Sequence, residues 1–194
     1  MGFWTQEVKR SELAAGDHIY TWRTAFIYAH HGIYVGENLV VHFINPDRNS
    51  SANSSFPSLN TNSTTTCSNP GCDFTKDNNG VTISCLDCFL KNGSLYRYQY
   101  VVNWYTRIAK IRGGTCTSAK SDPVDIVIDR AMYLLHTGFG NYDLIMHNCE
   151  DFALYCKIGG KFEASSGQVL FVMPPPFQFF KFKMWGQSAF SEKN

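Results

Sequence analysis

Two apolar runs, FIYAHHGIYVG (26–36) and ENLVVHFIN (37–45), meet at a turn centred on Gly36-Glu37-Asn38. β-branched and aromatic residues dominate both runs, so the pattern predicts an antiparallel hairpin, with HIYTWR (18–23) as a further strand before it. The hairpin constrains two polar residues inside it. If the turn centres on Glu37, His42 lies opposite Gly32 and His30 opposite Ile44. Both imidazoles then point to one sheet face as diagonal neighbours. A slip of one residue would send them to opposite faces. Spacing alone fits two unrelated strand histidines equally well.

The rest of the chain supplies what such a sheet packs against. LYRYQYVVN (95–103) reads as another strand. Asp122-Pro123 opens a helix, with proline at the first helical position, and Val124, Val127, Ile128, Ala131, Leu134 and Leu135 recur at helical spacing until Gly138 and Gly140 end it. A second helix is expected from about Asn148 to Lys157, with Cys149, Phe152, Ala153 and Cys156 on one face and Gly159-Gly160 after it. Asn45–Asn79 is rich in Ser, Asn and Thr and reads as a flexible insertion, which extends to about residue 90 if the nearby cysteines are counted. The expectation is one α+β domain over 1–194, an antiparallel sheet packed against helices, with that insertion at about 45–90.

Composition narrows the function. The net charge is +1 and the 17 Lys and Arg are scattered, so no electrostatic case exists for nucleic acid. The N-terminus turns charged before any apolar run, and Gln6 stands where a myristoylation signal wants Ser or Thr. A cytoplasmic protein with reduced thiols is the expectation, and the four Asn-x-Ser/Thr sites (Asn49, Asn53, Asn62, Asn92) are then unused.

In such a compartment the seven cysteines must serve some purpose besides disulfide bonding. Cys149 stands at the mouth of the second helix, where unpaired N–H groups and the helix dipole favour a thiolate and can receive an oxyanion. Glu150 and Asp151 oppose that thiolate, so a histidine partner is needed, and His30 with His42 behind it offers a base and a group to orient it. The plainer reading of Cys149 is a small core residue, and Cys156 is read so. Cys67 and Cys72 form a C-x4-C pair, and Cys85 and Cys88 a C-x2-C pair twelve residues later. Two short-spaced pairs suit a tetrahedral structural zinc site, with disulfides or free thiols as the alternatives. Such a metal would supply folding free energy to a polar segment with little core. No organic cofactor is expected.

The stretches GDHIYTWR (16–23), IYAHHGIYVGENLVVHF (27–43) and HNCEDFALYC (147–156) resemble the lecithin:retinol acyltransferase (LRAT) family, and its plant-type members in particular. That family is a circularly permuted branch of the NlpC-type papain-like cysteine hydrolases. The resemblance implies His30 as base, His42 as second histidine, Cys149 as nucleophile and Tyr28 as an oxyanion donor. His31 stands where animal members usually carry Trp, and by strand alternation it points away from His30. Asp151 stands in an Asn-Cys-Glu-His-Phe motif at the place of the His.

The implied activity is a thiol-dependent acyltransferase. It forms an acyl-cysteine from an ester or thioester donor, small-molecule or lipid, and passes it to an amine, an alcohol or water. A phospholipase, thioesterase or amidase would use the same site, and a non-catalytic interaction module would keep only the fold. The aromatic segment Phe177, Phe179, Phe180, Phe182, Met184 and Trp185, interleaved with Lys181 and Lys183, suits transient contact with a membrane surface or packing on the domain.

Overall fold

The computed structural model describes residues 7–23, 28–45, 67–74, 80–103, 115–143, 147–159, 162–163 and 169–170. Most of the polar insertion and the aromatic segment 177–185 lie outside the described residues.

Three strands follow one another as expected: β1 (His18–Arg23), β2 (Tyr28–Gly36) and β3 (Leu39–Ile44). The β2–β3 turn uses Glu37 and Asn38 at φ 50° and 62°. Two consecutive positive-φ residues give a tight turn whose twist matches that of the strands. Gly36, at φ 99°, takes up the register irregularity beside it. The register that results pairs Gly32 with His42 and Ile33 with Val41.

The stretch 80–85, close to the cysteines, is part of the sheet. β4 (Gly80–Cys85) pairs with β3 over its full length, from Leu39↔Cys85 to Ile44↔Gly80. Its sequence, GVTISC, is half polar because Thr82 and Ser84 face the side occupied by the histidines, where a hydroxyl finds partners. A short helix, α1 (Leu86–Leu90), follows directly and ends on Lys91 in a left-handed conformation. The expected strand 95–103 is laddered only at β5 (Tyr96–Arg97), on β1; beyond it the described residues of that run make one isolated bridge, Gln99↔Cys116. The sheet is antiparallel throughout, in the order β4-β3-β2-β1-β5.

Both faces are covered. On one lie α2 (Val124–Thr137) and α3 (Cys149–Ile158), packing Val127, Ala131, Leu134, Phe152, Ala153 and Cys156 on Tyr20, Ile33, Val41 and Phe43. Pro123 caps α2 from just outside it rather than opening its first turn, and Val124 is half exposed. On the other face α1 closes a smaller core of Leu86, Phe89 and Leu90 on Ile19 and Val40. Gly32 belongs to this face. A Cβ there would lie 2.7 Å from Val40 Cγ1 and 2.9 Å from Phe89 Cε2, so the absence of a side chain lets Phe89 reach the hairpin. A two-stranded ladder, β6 (Phe162–Glu163) with β7 (Val169–Leu170), completes the described elements.

Candidate active site

The hairpin register puts His30, Gly32 and His42 on the α1 face. His30 Nε2 lies 2.9 Å from His42 Nδ1, and His42 Nε2 lies 2.9 Å from Ser84 Oγ on β4. The Phe89 ring stands 5.3 Å from each imidazole. His31 points the other way, into the α2–α3 core, where its Nδ1 is 2.9 Å from His18 Nε2 and His18 Nδ1 is 2.8 Å from the Tyr100 hydroxyl. Ser84 carries no spacing signal in the sequence; it joins the site only because β4 pairs with β3.

Cys149 comes from the opposite side. Asn148 caps α3: its side chain accepts from the N–H groups of Glu150 (2.8 Å) and Asp151 (3.3 Å), while Asp151 Oδ2 accepts from the Asn148 N–H at 3.0 Å. This reciprocal cap places Cys149 at the first helical position. It also gives Asp151 a structural task.

Although α3 packs on the face away from His30, its first residue reaches the plane of the sheet. The Cys149 thiol donates to Ala29 O at 3.7 Å, and the His31 N–H donates back to the sulfur. Tyr34, of the opposite parity, turns its N–H and C=O toward Asp17 and Gly16 on the β1 side, so the groups of Ala29 and His31 point toward β3. The β2–β3 ladder ends at Gly32↔His42, while β1–β2 continues to Arg23↔Tyr28. The expected His30–Ile44 pair is therefore not made. The sulfur sits in the opening between the diverging strands, against the backbone on both sides of His30.

A cavity of about 60 Å³ opens on the histidine side, lined by Arg23, Tyr28, His30, His42, Phe74, Cys88, Lys91 and Tyr142, among others; Cys149 itself is not in the lining. Tyr142 ties it to the nucleophile candidate, since its hydroxyl donates to the Cys149 sulfur. Nothing in the run FGNYDL marks Tyr142 in the sequence. The Arg23 guanidinium donates to Leu90 O (2.6 Å) and Phe89 O, fixing the end of α1 beside the histidines.

The electrostatics correct one expectation. The helix start favours a thiolate, yet burial pushes the Cys149 thiol up to about 11. The His31 N–H and the Tyr142 hydroxyl pull it down and the neighbouring Glu150 raises it; burial outweighs them all. Burial, then His42 and Arg23, hold the His30 imidazole well below its ordinary value; His42 is lowered to about 3 by burial, then by Arg23 and Lys91. At rest both the thiol and the imidazoles are therefore neutral.

The four cysteines of the two short-spaced pairs meet at the start of α1. Their sulfur atoms all lie within 4.8 Å of one another, and Cys67 Sγ is 3.7 Å from Cys85 Sγ. Four thiolates around zinc at about 2.3 Å stand roughly 3.8 Å apart, so the set is compatible with that ion. The Cys85 N–H donates to Cys72 Sγ and Asn69 Nδ2 donates to Cys85 Sγ, both at 3.1 Å. Burial raises the Cys85 thiol, but donors from Cys88 and Asn69 outweigh it and bring it down to about 7. Cys116, Cys149 and Cys156 are buried free thiols.

Comparison with known proteins agrees with this architecture. A family model described as lecithin retinol acyltransferase matches residues 11–162. Protein LEAD-SENSITIVE 1 of Arabidopsis thaliana is 45% identical over 189 residues, covering 91% of this chain and 71% of that relative.

The buried imidazoles give the fold a pH dependence. His18, His30, His31 and His42 all have folded pKa values below the ordinary 6.5, chiefly through burial, with His31 and His42 at about 3. As pH falls below 6.5 the unfolded chain takes up protons that the fold cannot, so stability is fully present above that value and is lost toward about 3. Each imidazole costs up to about 1.4 kcal/mol per pH unit across that window. Urea midpoints measured from about pH 7 to pH 4 should fall steeply; a flat profile would contradict the burial of these rings.

Proposed function

This chain belongs to the lecithin retinol acyltransferase family, and we propose that it is a thiol-dependent acyltransferase with Cys149 as nucleophile and His30 as its base. One observation carries the reading: the Cys149 sulfur lies against the strand backbone on either side of His30 and accepts from Tyr142, which lines the same cavity as His30.

The hydrogen-bond chain supports one direction of proton transfer. If Ser84 Oγ accepts from His42 Nε2, then His42 Nδ1 is an acceptor and His30 Nε2 must carry the proton. His30 Nδ1 is then the basic nitrogen. It takes the thiol proton as Sγ bonds to the carbonyl carbon of an ester or thioester donor, and His42 steadies the imidazolium that forms. Depressed basicity keeps His30 unprotonated at neutral pH, ready to act. The Asn148 cap engages the N–H groups of Glu150 and Asp151; the donors proposed for the oxyanion are the Cys149 N–H, which already faces its own sulfur, and the hydroxyl of Tyr28, a residue of the cavity lining.

Collapse of the tetrahedral intermediate breaks the bond to the leaving oxygen or sulfur, which takes the proton from His30. An amine, alcohol or water then loses a proton to His30 and attacks the acyl-Cys149 thioester; the carbon–sulfur bond breaks, Cys149 Sγ takes the proton back from His30, and the acylated product leaves. Hydrolysis through the same acyl-enzyme is the second reading, favoured by a cavity that admits little more than a few waters. The donor is a small-molecule or lipid ester. Among the described residues no helix is long and apolar enough to cross a membrane, so lipid access is read as transient surface contact. The reading implies a reducing compartment such as the cytoplasm, because the nucleophile and the four metal-binding cysteines must all stay reduced.

Zinc on Cys67, Cys72, Cys85 and Cys88 is the second part of the proposal. Four thiolates leave no open position, so the ion's contribution is structural: it ties residues 67–72 to the β4–α1 junction. α1 carries Phe89 against both histidines and holds Arg23, so the tie steadies the site.

Cys149→Ala should abolish turnover of an acyl thioester, and His30→Ala should lower kcat by about 10²–10⁴ with circular dichroism unchanged. Full turnover by either variant rejects the mechanism. Elemental analysis of the purified protein should find about one zinc per chain, with Cys88→Ser losing it and melting lower; zinc near zero in the wild type removes that assignment.

A further inference from the structure

The four cysteines at the start of α1 are close enough to be joined to one another. Cys67 Sγ lies 3.7 Å from Cys85 Sγ, and all four sulfurs stand within 4.8 Å of one another. A disulfide holds its sulfurs about 2.05 Å apart, so a closing movement of under ~2 Å joins Cys67 to Cys85. Cys67 is partly exposed and Cys85 is buried behind it, which sets an accessible thiol in front of a resolving one. The cluster is also fused to the histidine site. Cys85 ends β4 and leads directly into α1, Cys88 lines the cavity that His30 lines, and Phe89 stands 5.3 Å from both imidazoles. With five residues, α1 is too short to hold its shape alone, so its place depends on its anchors. Sulfurs that bind a metal are thiolates, the form that peroxides oxidise. Cys149 contrasts with them: it is 5% exposed, and burial keeps its thiol protonated at neutral pH.

We propose that Cys67 and Cys85 are a redox modification site, oxidised by peroxides to a disulfide that slows acylation of Cys149 while leaving Cys149 reduced. This rests on the reading of Cys149 as nucleophile and adds how that site is regulated. The Cys67 thiolate attacks one peroxide oxygen: an S–O bond forms, the O–O bond breaks, and hydroxide leaves a sulfenic acid behind. The Cys85 thiolate then attacks that sulfur, forming the S–S bond and expelling the second oxygen as hydroxide. Both hydroxides take up protons and become water, so two sulfurs give two electrons to one peroxide. A zinc ion left with Cys72 and Cys88 has lost half its ligands and departs. Cys85 turns toward Cys67, Cys88 is released, and α1 no longer presses Phe89 on His30 and His42. A small misplacement of the base is enough to slow the reaction. Two equivalents of a thiol such as glutathione reverse the bridge by exchange and become a disulfide themselves.

The test uses the full chain, exposed to hydrogen peroxide near pH 7.5 for increasing times and then desalted. Peptide mass spectrometry maps the state of each cysteine, a zinc-binding dye follows released metal, and mass spectrometry reads the rate at which an acyl thioester acylates Cys149. A Cys67–Cys85 bridge should form with release of about one zinc per chain, while Cys149 stays a thiol. Acylation of Cys149 should slow by about tenfold to a hundredfold in step with the bridge, with circular dichroism unchanged, and recover with dithiothreitol and added zinc. The wild-type time course decides the matter without a variant that disturbs folding. Absence of a Cys67–Cys85 bridge, a bridge with acylation unchanged, slowing that tracks oxidation of Cys149, or slowing that tracks global unfolding overturns the switch. A bridge and slowed acylation in a chain that releases no zinc sustain the switch and remove only the metal. A reduced chain whose Cys149 takes no acyl group fails the nucleophile reading and takes the switch with it.

Discussion

The register of one hairpin governs the site. Glu37 and Asn38 turn the chain in two residues, so Gly32 faces His42 and the imidazoles of His30 and His42 fall on the same side, 2.9 Å apart. Side chains alternate strictly along a strand, so a shift by one residue would not weaken the pair but abolish it. The same register turns His31 into the opposite core, where it meets His18 and Tyr100. Two adjacent histidines thus end in separate hydrogen-bond systems because of where a turn is placed.

A sheet with its histidines on one face and its cysteine helix on the other looks unsuited to joining them. The ends of the strands resolve this. β2 and β3 part company beyond Gly32↔His42, and the Asn148 cap delivers the first residue of α3 into that opening. The thiol takes up backbone partners that a continuing ladder would have used. Burial makes this a poor place for a resting thiolate, and the same burial keeps the imidazoles neutral. The arrangement suits a proton transferred during attack rather than an ion pair formed beforehand.

Much of this is legible in the sequence where local chemistry decides it. The alternation in 26–45, the turn residues and the Asn-Cys-Glu-Asp cap define β2, β3, the start of α3 and the His30–His42 face within a residue or two. Two short-spaced cysteine pairs foretell a cluster whose sulfurs lie within 4.8 Å. Long-range pairing is not legible. β4 reads as insertion because Thr82 and Ser84 are polar, and only its pairing with β3 shows that they serve the histidine face. The run 95–103 has strand composition but finds a ladder partner only at Tyr96 and Arg97. Arg23, Lys91 and Tyr142 converge from three distant segments, and no spacing rule links them. The thiol's low acidity escapes a sequence reading because a helix terminus is visible in sequence and burial is not.

The central claim is that Cys149 becomes a covalent acyl carrier through His30. Intact-mass and peptide mass spectrometry after brief exposure to an acyl thioester addresses it without knowledge of the acceptor. The account predicts one acyl group added per chain, on Cys149, absent from Cys149→Ser and formed far more slowly in His30→Ala. Acylation spread over the other cysteines, or on Cys149 at the same rate without His30, would contradict it.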